Sequence, residues 1–218
     1  MTAPASDFAL GGRPPARPWP FSRAAFRARV DRDPRRWVLA LAAAEGLVWF
    51  ALTYEGKIAK PGPGYMLLVG LGFALVAPAL GVLFLYVQAR VLYWAGRLLG
   101  GQAKPVTIRA ALAWSQAPTL VVGWPAAIYL FTKAAAAESE PVPAPLLFAN
   151  DLLRSLTAWS STLSVFTGLL GAVLYLLYLS ETQGFTGFRT VANHVLAVLL
   201  AALVLGAGLG LGWAVSSL

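Results

Sequence analysis

The chain has 218 residues, 58% hydrophobic and 12% charged, against roughly 25% charged in a soluble domain, so a soluble globular fold is excluded. It has no cysteine and one histidine, His194, which excludes disulfides, zinc–cysteine centres, cysteine nucleophiles and a multi-histidine metal or haem site. The formal charge of +8 is a topology signal rather than a nucleic-acid footprint, because of where the charges fall.

Residues 1–20 contain Pro4, Pro14, Pro15, Pro18 and Pro20, a composition that builds no packed core. SRAAFRARV (22–30) follows. Ser22 is suited to cap a short helix. Phe26 and Val30 share one face of it, with Arg23 and Arg27 beside them. Such a helix is expected to lie at the lipid headgroups. There Arg23, Arg27, Arg29, Arg35 and Arg36 would contact anionic lipid or a partner, each arginine gaining about 1 kcal/mol. The equal alternative is a solvated basic tail that only orients the chain. Residues 1–35 are therefore read as a basic arm, and 36–218 as the membrane domain.

Five apolar segments occupy about 36–54, 65–90, 110–132, 157–179 and 190–215. Each reaches the roughly 18–25 residues that cross a ~30 Å hydrocarbon core. No ~10-residue alternating pattern of a β-barrel appears. The expected fold is all-α: a polytopic transmembrane bundle of five spans. Asp33 and Pro34 are expected to cap and open the first span, with Trp37 and Tyr54 at its two interfaces. PGPG (61–64) breaks the chain. The second span runs from Tyr65 to about Arg97, with a kink expected at Pro78. In the third, Pro118 and Pro125 release the carbonyls of Trp114 and Val121, with Ser115 and Gln116 as local partners. The loop after it is expected to end in a short surface helix before the fourth span. The fifth ends in GAGLGLG, where Gly206 and Gly210, and Gly208 and Gly212, make G-x-x-x-G pairs that allow close helix approach. Packing within the bundle is favoured for them over packing on a partner.

Basic residues fall unevenly between the two sides. Eight arginines precede the first span, and Arg90, Arg97, Lys104, Arg109 and Arg189 join them, thirteen in all against Lys57, Lys60, Lys133 and Arg154. The positive-inside rule puts the N-terminus in the cytoplasm and, after five spans, the C-terminus outside. The first apolar run ends without a small-residue cleavage site and reads as an uncleaved anchor. Arginine and alanine richness suggests a bacterial inner-membrane protein.

Chemistry-bearing residues are few. The aspartates Asp7, Asp31, Asp33 and Asp151 lie outside the spans. Ser160, Ser161 and Ser164 are expected at the opposite membrane side from His194. No Walker loop and no dinucleotide fingerprint occurs. No enzyme and no cofactor are expected. The intramembrane polar set is Glu45, Gln88, Gln116, Asn193 and His194. Glu45 lies ~12 Å into the first span, where a charge costs about 2.5–3.5 kcal/mol. It must face protein, carry a proton, or both. The favoured reading is a buried carboxyl hydrogen-bonded to the third span, through Gln116, that fixes helix register. The sharper one is a proton or ion path. A third is contact with a neighbouring subunit or cofactor, since Ala42 and Gly46 lie near its face.

The stretches RLLGGQAKPVTIRAALAWSQAPTL (97–120) and LYLLYLSETQGFTGFRTVANHVLAVLL (174–200) resemble the Yip-domain family of polytopic membrane proteins that interact with Rab-type GTPases. In that family a long second span ends in an amphipathic turn. A glycine followed by an aliphatic–alanine–x–aromatic–x–x–x–proline pattern then opens the third. The likeness covers the layout of about residues 36–215. It implies a non-enzymatic membrane scaffold, brings no catalytic residue, and leaves the first 35 residues unmatched. The function expected is thus a scaffold or adaptor subunit, packed against other membrane proteins or organising the surrounding bilayer. The alternatives are a transporter or channel component with a path near Glu45 and Gln116, and a transient assembly factor.

Overall fold

A computed structural model describes residues 21–54, 70–137 and 144–216. The PGPG break, the start of the second span at Tyr65 and the proline-rich residues 1–20 lie outside the described residues. Every regular element described is helical: α1 (Arg23–Arg32), α2 (Val38–Tyr54), a π-helical turn (Gly72–Val76) running into α3 (Ala77–Leu98), α4 (Pro105–Ser115), α5 (Ala117–Ala137), α6 (Ala144–Gln183) and α7 (Gly187–Ser216). Among the described residues, three stretches are long and apolar enough to cross a membrane: Gly72–Leu98, Thr162–Gln183 and Gly187–Val204; Val38–Thr53 is a shorter apolar helix. The chain is a helical, multi-pass membrane protein.

α2 begins later than the sequence signals for a first span suggest. Asp33 ends α1 instead of opening α2: its N–H donates to the Arg29 carbonyl, and its Oδ1 accepts the Arg35 N–H at 2.9 Å. A turn then runs to Trp37, whose φ of 64° lies in the left-handed region, a strain of order 1–3 kcal/mol for a bulky residue. Only at Val38 does α2 start.

Pro78 has its expected effect just before its own position. It lacks an N–H, so the ladder slips upstream to five-residue spacing, and the Ala77 N–H reaches the Gly72 carbonyl. A π-turn is a common form of such a defect.

The third apolar segment is not one helix. α4 stops at Ser115 and α5 starts at Ala117, with Pro118 in its first turn and Pro125 in its interior. A proline at 118 cannot donate to Trp114 and crowds its carbonyl. That carbonyl instead accepts the N–H of Gln116, and the Ser115 hydroxyl donates back to Leu112 O at 2.7 Å.

The fourth segment departs in the other direction. Among the described residues no separate surface helix precedes it; α6 is one helix of 40 residues, ~60 Å long and about twice the hydrocarbon thickness. The prolines 141, 143 and 145 lie before or in its first turn, and nothing after them breaks the ladder.

Small residues decide how these helices pack. Ala42 and Gly46 on α2 face Ala77 and Gly81 on α3. Both pairs are four residues apart, so each helix presents a small-x-x-x-small strip. A Cβ added at Gly46 would run into the Ala77 carbonyl, and one at Gly81 into the Ala42 carbonyl. The two backbones are therefore in direct contact. The face beside Glu45 that could admit another subunit is already filled by α3. α2 and α5 also pack closely, with the Val48 side chain against Gly123. The core centres on Leu85, Ala89 and Leu92 of α3, Ile108 and Ala110–Ala113 of α4, and Leu174, Tyr178 and Leu179 of α6.

Candidate functional site

Two features of the bundle carry polar chemistry: a cleft among the helices, and a basic face where α1 is packed.

The cleft follows from the break at Gln116. A helix that stops inside a membrane is tolerated where it lines a cavity. Gln116 lines two. The first, about 290 Å³, is walled by Glu45, Trp49 and Phe50 of α2, Leu80, Phe84 and Gln88 of α3, and Leu112. The second, about 640 Å³, is walled by Gln88, Leu112, Gly171 and Tyr175 of α6, and His194 and Ala197 of α7. Gln88, Leu112 and Gln116 belong to both. The structure thus gathers Glu45, Gln88, Gln116 and His194, four of the five polar residues singled out in the sequence, around adjoining cavities.

Their bonding differs from the expected fastener. Glu45 faces the first cavity, and its carboxyl group has no hydrogen-bond or ion-pair partner among the described residues. Gln116 shares that cavity without bonding to it. His194 is held: its Nδ1 lies 3.0 Å from the Tyr175 hydroxyl, with the rings edge to face at 5.3 Å. Tyr175 was not anticipated as a site residue, because a tyrosine in an apolar span gives no local sign of a partner nineteen residues away. Asn193 stands apart. It is fully buried, and both atoms of its side-chain amide lack partners among the described residues.

The basic face is built by α1. Ser22 caps it, its hydroxyl accepting the Ala25 N–H at 3.2 Å. The apolar side of α1 meets protein. Phe26 is 1% exposed and stacks on Tyr178 of α6, centroids 4.2 Å apart and planes at 8°. The Tyr178 hydroxyl donates to the Phe21 carbonyl at 3.0 Å. Arg27 pairs with Glu181, and the Arg29 guanidinium lies 4.5 Å over the Trp114 ring of α4. Arg27 and Arg29 are thereby engaged by the bundle, while Arg23, Arg35 and Arg36 are exposed.

A glutamine holds three segments together. Gln183, the last residue of α6, is 3% exposed. Its amide donates to Leu92 O of α3 at 3.5 Å and accepts the Ala103 N–H at 3.4 Å. Its backbone carbonyl accepts the Gln102 N–H at 3.4 Å. The amide occupies space that a side chain on Gly96 or Gly101 would fill. Gly96, Gly101 of RLLGG and the glutamine of SETQG therefore form one contact, a link invisible to a reading of either stretch alone.

Of the glycines in α7, Gly206 has open space where a Cβ would stand. The surroundings of Gly208, Gly210 and Gly212 lie outside what is described.

The family model of the Yip1 domain matches residues 17–210. The match takes in α1, so the basic helix is part of the domain rather than an appendage. No curated protein and no solved structure matches the chain.

Proposed function

The chain belongs to the Yip1-domain family, and from that premise we propose that it is a non-enzymatic membrane adaptor. It would cross a bacterial cytoplasmic membrane five times, N-terminus inside and C-terminus outside, and pack against other membrane proteins or organise the bilayer around them. One observation carries this reading: α1 is packed on α6 by the Phe26–Tyr178 stack and on α4 by the Arg29–Trp114 contact, so its arginines are displayed from a fixed surface. A rigid basic face at the headgroup level suits recognition of an anionic bilayer or an acidic partner. Apolar residues exposed along α6 and α7, such as Phe166, Leu169, Val173, Leu199 and Leu203, supply surface for lipid or for neighbouring helices. The test is to tag the protein in its native membrane, solubilise it gently and identify co-migrating proteins by native gel and mass spectrometry. A stoichiometric larger complex is expected. A protein that migrates alone in both mild detergent and nanodiscs defeats the adaptor reading.

A second reading is favoured by Glu45. A carboxyl group without a partner among the described residues, in a cavity that adjoins another beside a broken helix, is an arrangement that transport proteins use. On this reading solute or protons pass by Glu45, Gln88 and Gln116. Glu45→Gln should then abolish flux in proteoliposomes that the wild type supports. Equal flux in the two proteins, or none in the wild type, rejects it.

A further inference from the structure

Between α1, the turn after it and α4 lies a cavity of about 280 Å³ lined by Arg29, Arg32, Asp33, Arg36, Trp37 and Trp114. Three guanidinium groups and one carboxylate leave it two positive charges in excess. The carboxylate is partly occupied, because Asp33 Oδ1 already accepts the Arg35 N–H. Arg29 is the unusual member. Its plane rests on Trp114, and its Nη1 is buried with no hydrogen-bond acceptor among the described residues. A buried guanidinium N–H without an acceptor is costly, and an anion is the group that relieves it. Arginine in a fixed fork matches phosphate oxygens better than a point charge does. Trp37, 59% exposed, stands at the cavity's edge where α2 begins, which suits the headgroup region.

We propose that this cavity binds a phosphate group, presented by an anionic lipid headgroup, with Arg29, through its buried Nη1, as the anchor and Arg32 and Arg36 closing over it. The inference rests on the reading of α1 as a fixed basic face and turns a diffuse surface attraction into a defined site.

The test uses the full-length protein purified in an uncharged detergent. Short-chain phosphatidylglycerol, uncharged short-chain diacylglycerol and inorganic phosphate are titrated separately and read by native mass spectrometry. Phosphatidylglycerol is expected to give a one-to-one adduct that diacylglycerol does not. The double variant Arg32→Gln/Arg36→Gln, both at exposed positions, should weaken it about tenfold or more. Arg97→Gln/Arg189→Gln removes the same charge elsewhere and should weaken it less than threefold. Arg29→Gln should abolish the adduct. Because that change also disturbs the Trp114 contact, the decision rests on the first double variant. Saturable binding of inorganic phosphate with no lipid adduct keeps the phosphate chemistry and assigns a soluble source. Equal losses in the two double variants overturn the site while leaving the basic-face reading intact, as does an absence of any adduct. Loss of co-migrating proteins in the native gel, with lipid adducts unchanged, would instead tell against the adaptor reading alone.

Discussion

Truncating Phe26 to alanine should release α1 from the bundle. Phe26 is 1% exposed and stacks on Tyr178 at 4.2 Å. Burial of a phenylalanine side chain contributes about 1.5–3 kcal/mol, and an aromatic pair adds about 0.5–1.5 kcal/mol. Phe26→Ala therefore removes roughly 2–4 kcal/mol from docking, a 30- to 1,000-fold shift towards the undocked helix. What remains is weaker: the Tyr178–Phe21 hydrogen bond and the Arg29–Trp114 contact contribute about 0.5–1.5 kcal/mol each. The Arg27–Glu181 pair has one partner 68% exposed, and exposed pairs give about 0–1 kcal/mol. A ten-residue helix does not hold itself together in water. Undocking should therefore appear as loss of the helix, read by amide hydrogen exchange in nanodiscs. Protection of residues 26–33 should fall by the calculated factor, with α3 and α6 unchanged. Arg27→Ala should change it less than fivefold. Unaltered exchange across α1 in Phe26→Ala would refute the reasoning, and with it the claim that protein contacts rather than lipid hold this helix.

Two further substitutions probe the packing. Gly81→Val places a branched side chain against the Ala42 carbonyl and Gly46 backbone; since neither backbone can yield cheaply, a loss of more than about 3 kcal/mol is expected. It should appear as a lowered melting temperature or aggregation in fluorescence-detected size exclusion, and a normal profile would contradict the close approach of α2 and α3. Gln183→Ala leaves the Ala103 N–H without its acceptor and empties the space between Gly96 and Gly101, costing about 1–3 kcal/mol. Faster amide exchange confined to residues 99–104 is the expected sign; exchange unchanged in that loop would show that Gln183 does not organise it.

What the sequence determined by itself was the kind of molecule and its local punctuation. Apolar runs of bilayer length make membrane helices in any context, because backbone groups in lipid have no other way to be satisfied. The cap at Ser22, the disturbance at Pro78 and the weakness at Pro118 also came from single residues acting over a few neighbours. Local signals misplaced two boundaries. Asp33 and Pro34 looked like the start of a helix and instead form a turn. The 40-residue length of α6 was hidden because hydropathy marks only its apolar half.

The relations between distant segments were decided by the tertiary structure alone. Ala42 and Gly46 read as small residues open to a partner, yet their complement, Ala77 and Gly81, lies on the next helix. Glu45 and Gln116 were paired in expectation by a hydrogen bond, and the fold instead leaves them facing one cavity. Arg29 acquired its meaning from Trp114, 85 positions along the chain, and Gln183 from two glycines more than 80 positions before it. The physical reason is common to these cases. Helix formation follows from bonds within a segment, whereas the direction a side chain faces is settled only when another backbone comes close enough to occupy or vacate the space beside it.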